Sequence, residues 1–290
     1  MDIFYTFKAI FISGLFLGSL YAIIASGLSL IWGTFRMYNF SHGSMIILSA
    51  YIALQAISVG GFLFGVITAI IISFFLGIIM EKIIIEPFLD KPEAQLIVLI
   101  TTLAAMLLID NSIQIIWGAR LKKLPMLLEG RLDFVGVGIS FQQLIIISIV
   151  PIILILFSIF LKRSRIGLAI RAVEQNLDLS LLVGINVRNT YAITFGISAI
   201  LAAIAGVLLG SNYLISPSLG AGYLLKAFIV IIIGGLGSLT GTLLAAYMIG
   251  IIEAAGQFFL GLYWTPFLLF TILIVVLTFK PTGFFGEKGA

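Results

Sequence analysis

The chain has no cysteine and a single histidine, His42, in 290 residues. The missing thiols exclude disulfide frameworks and thiolate zinc sites, and one imidazole excludes a multi-histidine metal centre. Charge is almost as scarce. Asp, Glu, Lys and Arg make up 10% of the chain, against roughly 25% in an ordinary soluble domain, too few to cover a water-facing surface. Sixteen basic residues against twelve acidic ones leave +4, too little and too dispersed for a nucleic-acid footprint. Two catalytic signatures are also missing. No G-x-x-x-x-G-K-[ST] phosphate loop occurs, and the Gly-rich run GGLGSLTG at 234–241 lacks the lysine. No G-x-S-x-G elbow occurs either, and His42 is the one imidazole that a serine nucleophile could use. The chain therefore reads as a non-enzyme with no cofactor of its own.

What is present is apolar sequence: 61% AVILMFWYC and a mean hydropathy of +1.26. A membrane-crossing helix needs about 20 mostly apolar residues. Uncharged runs of that size occupy 9–32, 44–80 and 141–161, the second long enough for two crossings broken at Gly60 and Gly61. Residues 96–117 are apolar except for Asp110, 191–225 hold one span and a Ser/Pro/Gly loop, and two or three more elements lie between 226 and 279. The runs are continuous rather than alternating, which excludes a β-barrel. The expected fold is a single all-α transmembrane domain over 1–290, with about eight helices and at least one broken or re-entrant segment. Asp2, a lone Lys8 and no A-x-A-like site make the first helix a retained one.

Positive loops stay in the cytoplasm. Residues 162–190 form the most basic connection, with Lys162, Arg163, Arg165, Arg171 and Arg188. Placing them inside brings Arg36, Lys82, Lys91, Lys280 and Lys288 inside as well, so the C-terminus is cytoplasmic and the N-terminus outside. The loop at 118–141 opposes this, since Arg120, Lys122, Lys123 and Arg131 then lie outside. The same parity asks residues 226–233 to be a re-entrant half-span, interrupted at Gly234, Gly235, Gly237 and Ser238. Broken backbone at membrane depth is satisfied only by protein or a water-filled cavity, so this break is expected to line a path.

Three other places carry polar chemistry. Asn39, Ser41 and His42 either cap a broken helix and meet a polar solute, or form a loop with a helix N-cap at Ser41 or Ser44. Asp110 and Asn111 sit inside an apolar run, where a carboxylate faces a bundle interior or a cavity, unless Asp110 reaches water at the outer end. Glu253 is a weaker case of the same kind. From Ile166 to Gly184 the spacing predicts one short amphipathic helix, with Leu168, Ala172 and Leu179 towards the membrane and Arg171, Glu174, Gln175 and Asp178 towards water. It is either a solvated connector or a dock for a soluble partner. Gly pairs four apart (14/18, 61/65, 206/210, 237/241) suit close helix packing or a dimer face.

The stretch GSLYAIIASGLSLIWGTFRMYNFSHGSMIILSAYIAL resembles the N-terminal signature of the Liv-type branched-chain amino-acid ABC transporter permeases, with Ser41 where the family motif N-F-A-H-G has alanine. RIGLAIRAVEQNLDLSLLVGINV, LLKAFIVIIIGGLGSLTGTLLAAYMIGIIEA and the tail KPTGFFG are similar to further blocks of that family. The resemblance implies a permease subunit of a bacterial inner-membrane importer. Its partners would be a second Liv-type permease, more plausibly a diverged sister than a copy, two cytoplasmic ATPases that bind ATP and Mg, a periplasmic or lipid-anchored solute-binding protein, and membrane lipid. It implies a coupling helix containing Arg171, Ala172, Glu174, Asp178 and Gly184. It also implies that Asn39, Ser41, His42 and the Gly234–Gly241 break surround the translocation path. The cargo would be a branched-chain or other neutral amino acid; urea or a short amide would suit a similar permease. The rival class is an ATP-independent secondary transporter or channel, for which Asp110 is the clear ion-coupling residue.

Overall fold

The computed structural model describes residues 3–134 and 137–286. Ten helices and one hairpin follow in order: α1 (Ile3–Phe35), α2 (His42–Met80), α3 (Ala94–Trp117), β1 (Arg131–Phe134), β2 (Val137–Ser140), α4 (Phe141–Arg163), α5 (Arg165–Gln175), α6 (Leu177–Leu182), α7 (Val187–Asn212), α8 (Gly220–Gly234), α9 (Leu239–Phe259) and α10 (Thr265–Phe279). Among the described residues, 7 helices are long and apolar enough to cross a membrane. The chain is a multi-pass helical membrane protein.

One of those seven is two spans. At Gly61 the backbone of α2 turns to φ 80, ψ 177, a conformation open essentially to glycine alone. Beyond it the chain folds back, and Gly65 packs on Ile57 and on the carbonyl of Ala53. The break expected at Gly60 and Gly61 is thus a helical hairpin. The other small pairs also serve packing within the chain. Gly14 and Gly18 lie against Ile251 and Tyr247 of α9, Gly250 returns the contact, and Gly206 rests on the carbonyl of Ile46. In lipid such contacts are held by dispersion across close backbones.

α1 and α7 are the most buried spans, while α3, α4 and the second limb of α2 lie outside them. α1 and α9 run antiparallel, since Gly33 near the end of α1 lies against Gly237 at the start of α9. This end of the bundle also carries α5 and is termed the α5 end. At the opposite end, the connection after α3 pairs with the one after α7: Lys122 and Ile215 exchange backbone hydrogen bonds of 3.0 and 2.8 Å. The antiparallel β1–β2 hairpin in that connection has no counterpart in the sequence reading.

α8 begins part-way along the bundle, where Gly220 lies on Gly43 at the start of α2, and with the 3-10 turn before it counts among the seven. It ends at the α5 end. The C-terminal tail is stitched there, with Phe284 N donating to Ile233 O at 2.8 Å and Phe285 N to Gly234 O at 3.1 Å. These bonds satisfy carbonyls that a helix C-terminus otherwise leaves open. The tail's Lys288 lies outside the described residues.

Candidate translocation and coupling elements

Asn39, Ser41 and His42 come together part-way along the bundle. Asn39 Oδ1 accepts from Ser41 N at 3.1 Å and from Ser41 Oγ at 2.6 Å. Ser41 occupies the N-cap position of α2, yet its backbone is already helical (φ -73, ψ -11) and its hydroxyl makes no cap bond. The buried His42 ring donates from Nε2 to Ile24 O at 3.2 Å and places Nδ1 3.4 Å from Ser198 Oγ. Ser198 in turn donates to Gly27 O at 2.9 Å. The imidazole therefore ties α1, α2 and α7 at one level, eleven residues or about 16 Å before α1 ends at Phe35. A small cavity beside it is bounded by Asn39, Ser41, His42, Met45 and Ser198.

Asp110 and Asn111 do not act as a pair. Asp110 is half-buried on the face of α3 that carries it towards the buried Ser44 hydroxyl, the polar group beside its carboxylate. Asn111 is exposed and bonds back to Leu107 O at 2.7 Å. Trp117 reaches Gln55 from the same α3 face.

The Gly234–Ser238 break is a turn at the α5 end and not a break midway along the bundle, which corrects the re-entrant reading of 226–233. α8 as a whole instead begins part-way along the bundle, after an irregular approach at 213–219. Gly235 and Gly237 take φ 102 and φ 83, and Ser238 caps α9 by accepting from Gly241 N at 3.1 Å. Gly234 and Gly241 lie backbone to backbone. The positive φ of Gly235 and Gly237 and the close approach of two backbone segments at Gly234 and Gly241 call for glycine here.

The segment after α4 is two helices, not one. Asn176 leaves the helical region and caps α6 by accepting from Leu179 N. The side of α5 that packs on the bundle is Gly167, Ile170 and Val173, whereas Leu168 and Leu179, expected to face the membrane, are exposed. Arg171 is engaged at home: Nε donates to Leu161 O at 3.1 Å and Nη2 to Lys162 O at 3.0 Å, capping the end of α4. Ala172 is partly buried. Glu174 was expected in water, but its carboxylate lies against Gly33 and near Gly237. Asp178 is exposed in the first turn of α6. Gly184, with φ 82, closes α6 by donating to Leu181 O at 3.1 Å while Ile185 donates to Ser180 O at 3.0 Å, the paired bonds of a Schellman end. Around it Leu177, Leu181, Leu182 and Val183 are exposed, the last two by 81% and 76%.

Sequence reasoning missed a charged cluster between α1, α8 and α9. Lys226 Nζ donates to Glu253 Oε1 at 2.6 Å and to Tyr21 OH at 2.9 Å. Tyr21 OH donates to Glu253 Oε2 at 2.6 Å, and Gln257 Nε2 to Oε1 at 3.1 Å. On the sequence Glu253 counts only as a weaker case than Asp110, and nothing pairs it with Lys226. The available signal was opposite charges in two apolar runs joined by a glycine turn, because ionisable groups in spans pair with one another. Glu81 is a second unforeseen case, fully buried with both carboxylate oxygens unpartnered among the described residues.

Residues 10–277 match the model of the family described as "Branched-chain amino acid transport system / permease component". The chain belongs to this family. Among similar proteins, the high-affinity branched-chain amino acid transport system permease protein BraD of Pseudomonas aeruginosa is 34% identical, covering 95% of this chain and 94% of that one. LivH of Escherichia coli K12, a permease protein of the same named kind of system, is 32% identical with the same coverage. A probable branched-chain amino acid transport permease of Methanocaldococcus jannaschii is 29% identical over 96% of this chain and 92% of that one. The solved structure titled "PsaBC from Streptococcus pneumoniae in complex with Fab" matches with a TM-score of 0.53 at 13% identity, covering 93% of this chain and 91% of that one, which shows a shared fold alone. The chain is thus a permease component, and not itself an enzyme.

Proposed function

We propose that this chain is the translocating subunit of a binding-protein-dependent ABC importer for branched-chain or other neutral amino acids. It works beside a second, diverged permease and two ATPases that bind ATP and Mg, in a bacterial inner membrane. The α5 end faces the cytoplasm, consistent with nine of the basic residues among those described falling on that side; the N-terminus lies outside. The relatives' names supply the cargo class.

The observation that carries the reading is the build of α5 and α6. Their outer side leaves Leu177, Leu182 and Val183 uncovered next to Asp178, while Glu174 on the inner side rests on Gly33 and Gly237. A partner gripping the outer side therefore holds a lever whose inner side touches the end of α1 and the α8–α9 turn. ATP-driven closure of the ATPases would displace that lever as a rigid body. The paired loops at the opposite end, around Lys122 and Ile215, suit docking of the binding protein, and the Asn39–His42 turn and the start of α8 flank the path.

The test is uptake of labelled L-leucine by cells holding the intact system. Uptake is expected to need both the ATPases and the binding protein. Transport by this chain alone in liposomes under an ion gradient would overturn the reading in favour of a secondary transporter.

A further inference from the structure

The Lys226–Glu253 cluster has no place in the coupling scheme, yet it is the strongest concentration of charge inside the spans. Glu253 stands fourteen residues along α9 from Leu239, about 21 Å from the α5 end at 1.5 Å per residue, roughly two-thirds of the way across a 30 Å hydrocarbon layer and still inside it. A buried ion pair is a poor way to gain stability, since apolar residues of the same volume often do as well or better. Inside a membrane an ionisable pair points first to function.

The hydrogen-bond inventory shows what the pair still offers. An ammonium has three donors; Lys226 spends two, on Glu253 and Tyr21. A carboxylate has about four acceptor sites; Glu253 fills three, from Lys226, Gln257 and Tyr21. Among the described residues, one Lys226 donor and one acceptor site on Glu253 Oε2 remain. The Glu253 side chain is only 3% exposed, but that of Lys226 is 30% exposed, so the cluster is open on the lysine side. Its neighbours there, Leu225 and Gly222 of α8, are exposed as well. The Lys226 ammonium also lies 5.3 Å from the centre of the Tyr21 ring, which holds it in place without using its third proton.

We infer that Lys226 and Glu253 form a recognition site for the charged ends of a zwitterionic amino acid, the free Lys226 donor taking the α-carboxylate and the free Glu253 acceptor taking the α-ammonium. The pair is neutral overall, so it favours a neutral dipolar solute over a simple anion or cation. It makes no contact with the solute's side chain, leaving a branched aliphatic group to the surrounding apolar spans. Binding here is weak, because the pair already satisfies most of its own bonds; that suits a site that must release its load. This inference rests on the proposed cargo class and names where that class is recognised.

The test uses the complete importer in cells, with labelled L-leucine and L-alanine. Lys226→Met and Glu253→Gln are each expected to lower uptake at least tenfold. The swapped double variant, Lys226→Glu with Glu253→Lys, restores the ion pair between α8 and α9. It is expected to return membrane abundance and ATPase copurification to wild-type levels but not uptake, since the solute would meet both charges reversed. Wild-type uptake in the swapped variant would reduce the pair to a structural tie and overturn the inference, as would normal uptake by either single variant. Failure of the cargo reading looks different: the unmodified importer itself would carry neither amino acid, and a zwitterion site would fall with it.

Discussion

Ser49 and Ser73, twenty-four residues apart in one uncharged apolar run, share a hydrogen bond of 2.7 Å. A straight helix would separate them by about 36 Å. The bond therefore records the reversal at Gly61. Because the chain has no native cysteine, the reversal is open to a clean test. Ser49→Cys combined with Ser73→Cys is expected to form an intramolecular disulfide in membranes treated with a permeant oxidant, read as a mobility shift reversed by reductant. No cross-link would mean that the two limbs do not pair.

Gly61 itself carries the turn. Gly61→Val asks a β-branched residue to adopt φ 80, at a cost of about 1–3 kcal/mol. The purified variant is expected to melt at a lower temperature than wild type, whereas Gly222→Ala, in open space at an ordinary φ, is expected to leave the melting temperature unchanged.

The two sides of the α5–α6 segment predict different losses. Leu182→Glu together with Asp178→Lys alters only exposed groups, so the permease should fold and melt normally while losing its ATPases on purification. Arg171→Ala should do the reverse. It frees Leu161 O and Lys162 O, costing about 1–3 kcal/mol, and is expected to lower the melting temperature while the folded fraction still retains its ATPases.

Gly33 tests the lever. A side chain there collides with the Glu174 carboxylate, so Gly33→Leu is expected to push α5 away from α1 and the α8–α9 turn. The complex should still assemble and hydrolyse ATP, with uptake per ATP hydrolysed falling several-fold. An unchanged ratio in reconstituted vesicles would show that this contact transmits nothing.

The tail predicts a stability effect. Phe285→Pro removes the donor to Gly234 O and leaves Phe284 N bonded to Ile233 O. The loss of one buried backbone bond, about 1–3 kcal/mol, should appear as a lower melting temperature with the α8 end becoming more accessible to proteolysis.

Membrane residence, the number of apolar runs, the hairpin break at Gly60 and Gly61 and the helical segment ending at Gly184 were all legible from composition and local pattern. These properties depend on stretches of neighbouring residues, and the bilayer imposes a length and an apolarity that a sequence displays directly. The orientation of each helix about its own axis was not legible. In a span, the side facing lipid is as apolar as the side facing protein, so the amphipathic signal that marks a buried face in water is weak. Even on α5, where that signal exists, the sequence did not name the side that packs on the bundle: Ile170 and Val173 are buried where α5 meets α1, α4 and α7. The same dependence on distant partners decided that Gly234–Ser238 turns at the end of the bundle, that Arg171 caps α4, and that Lys226 meets Glu253. By itself the sequence determined that this is a helical membrane permease of a recognisable family. Only the tertiary structure decided where its few charges meet, because a charge in an apolar span is positioned by whichever remote group can neutralise it.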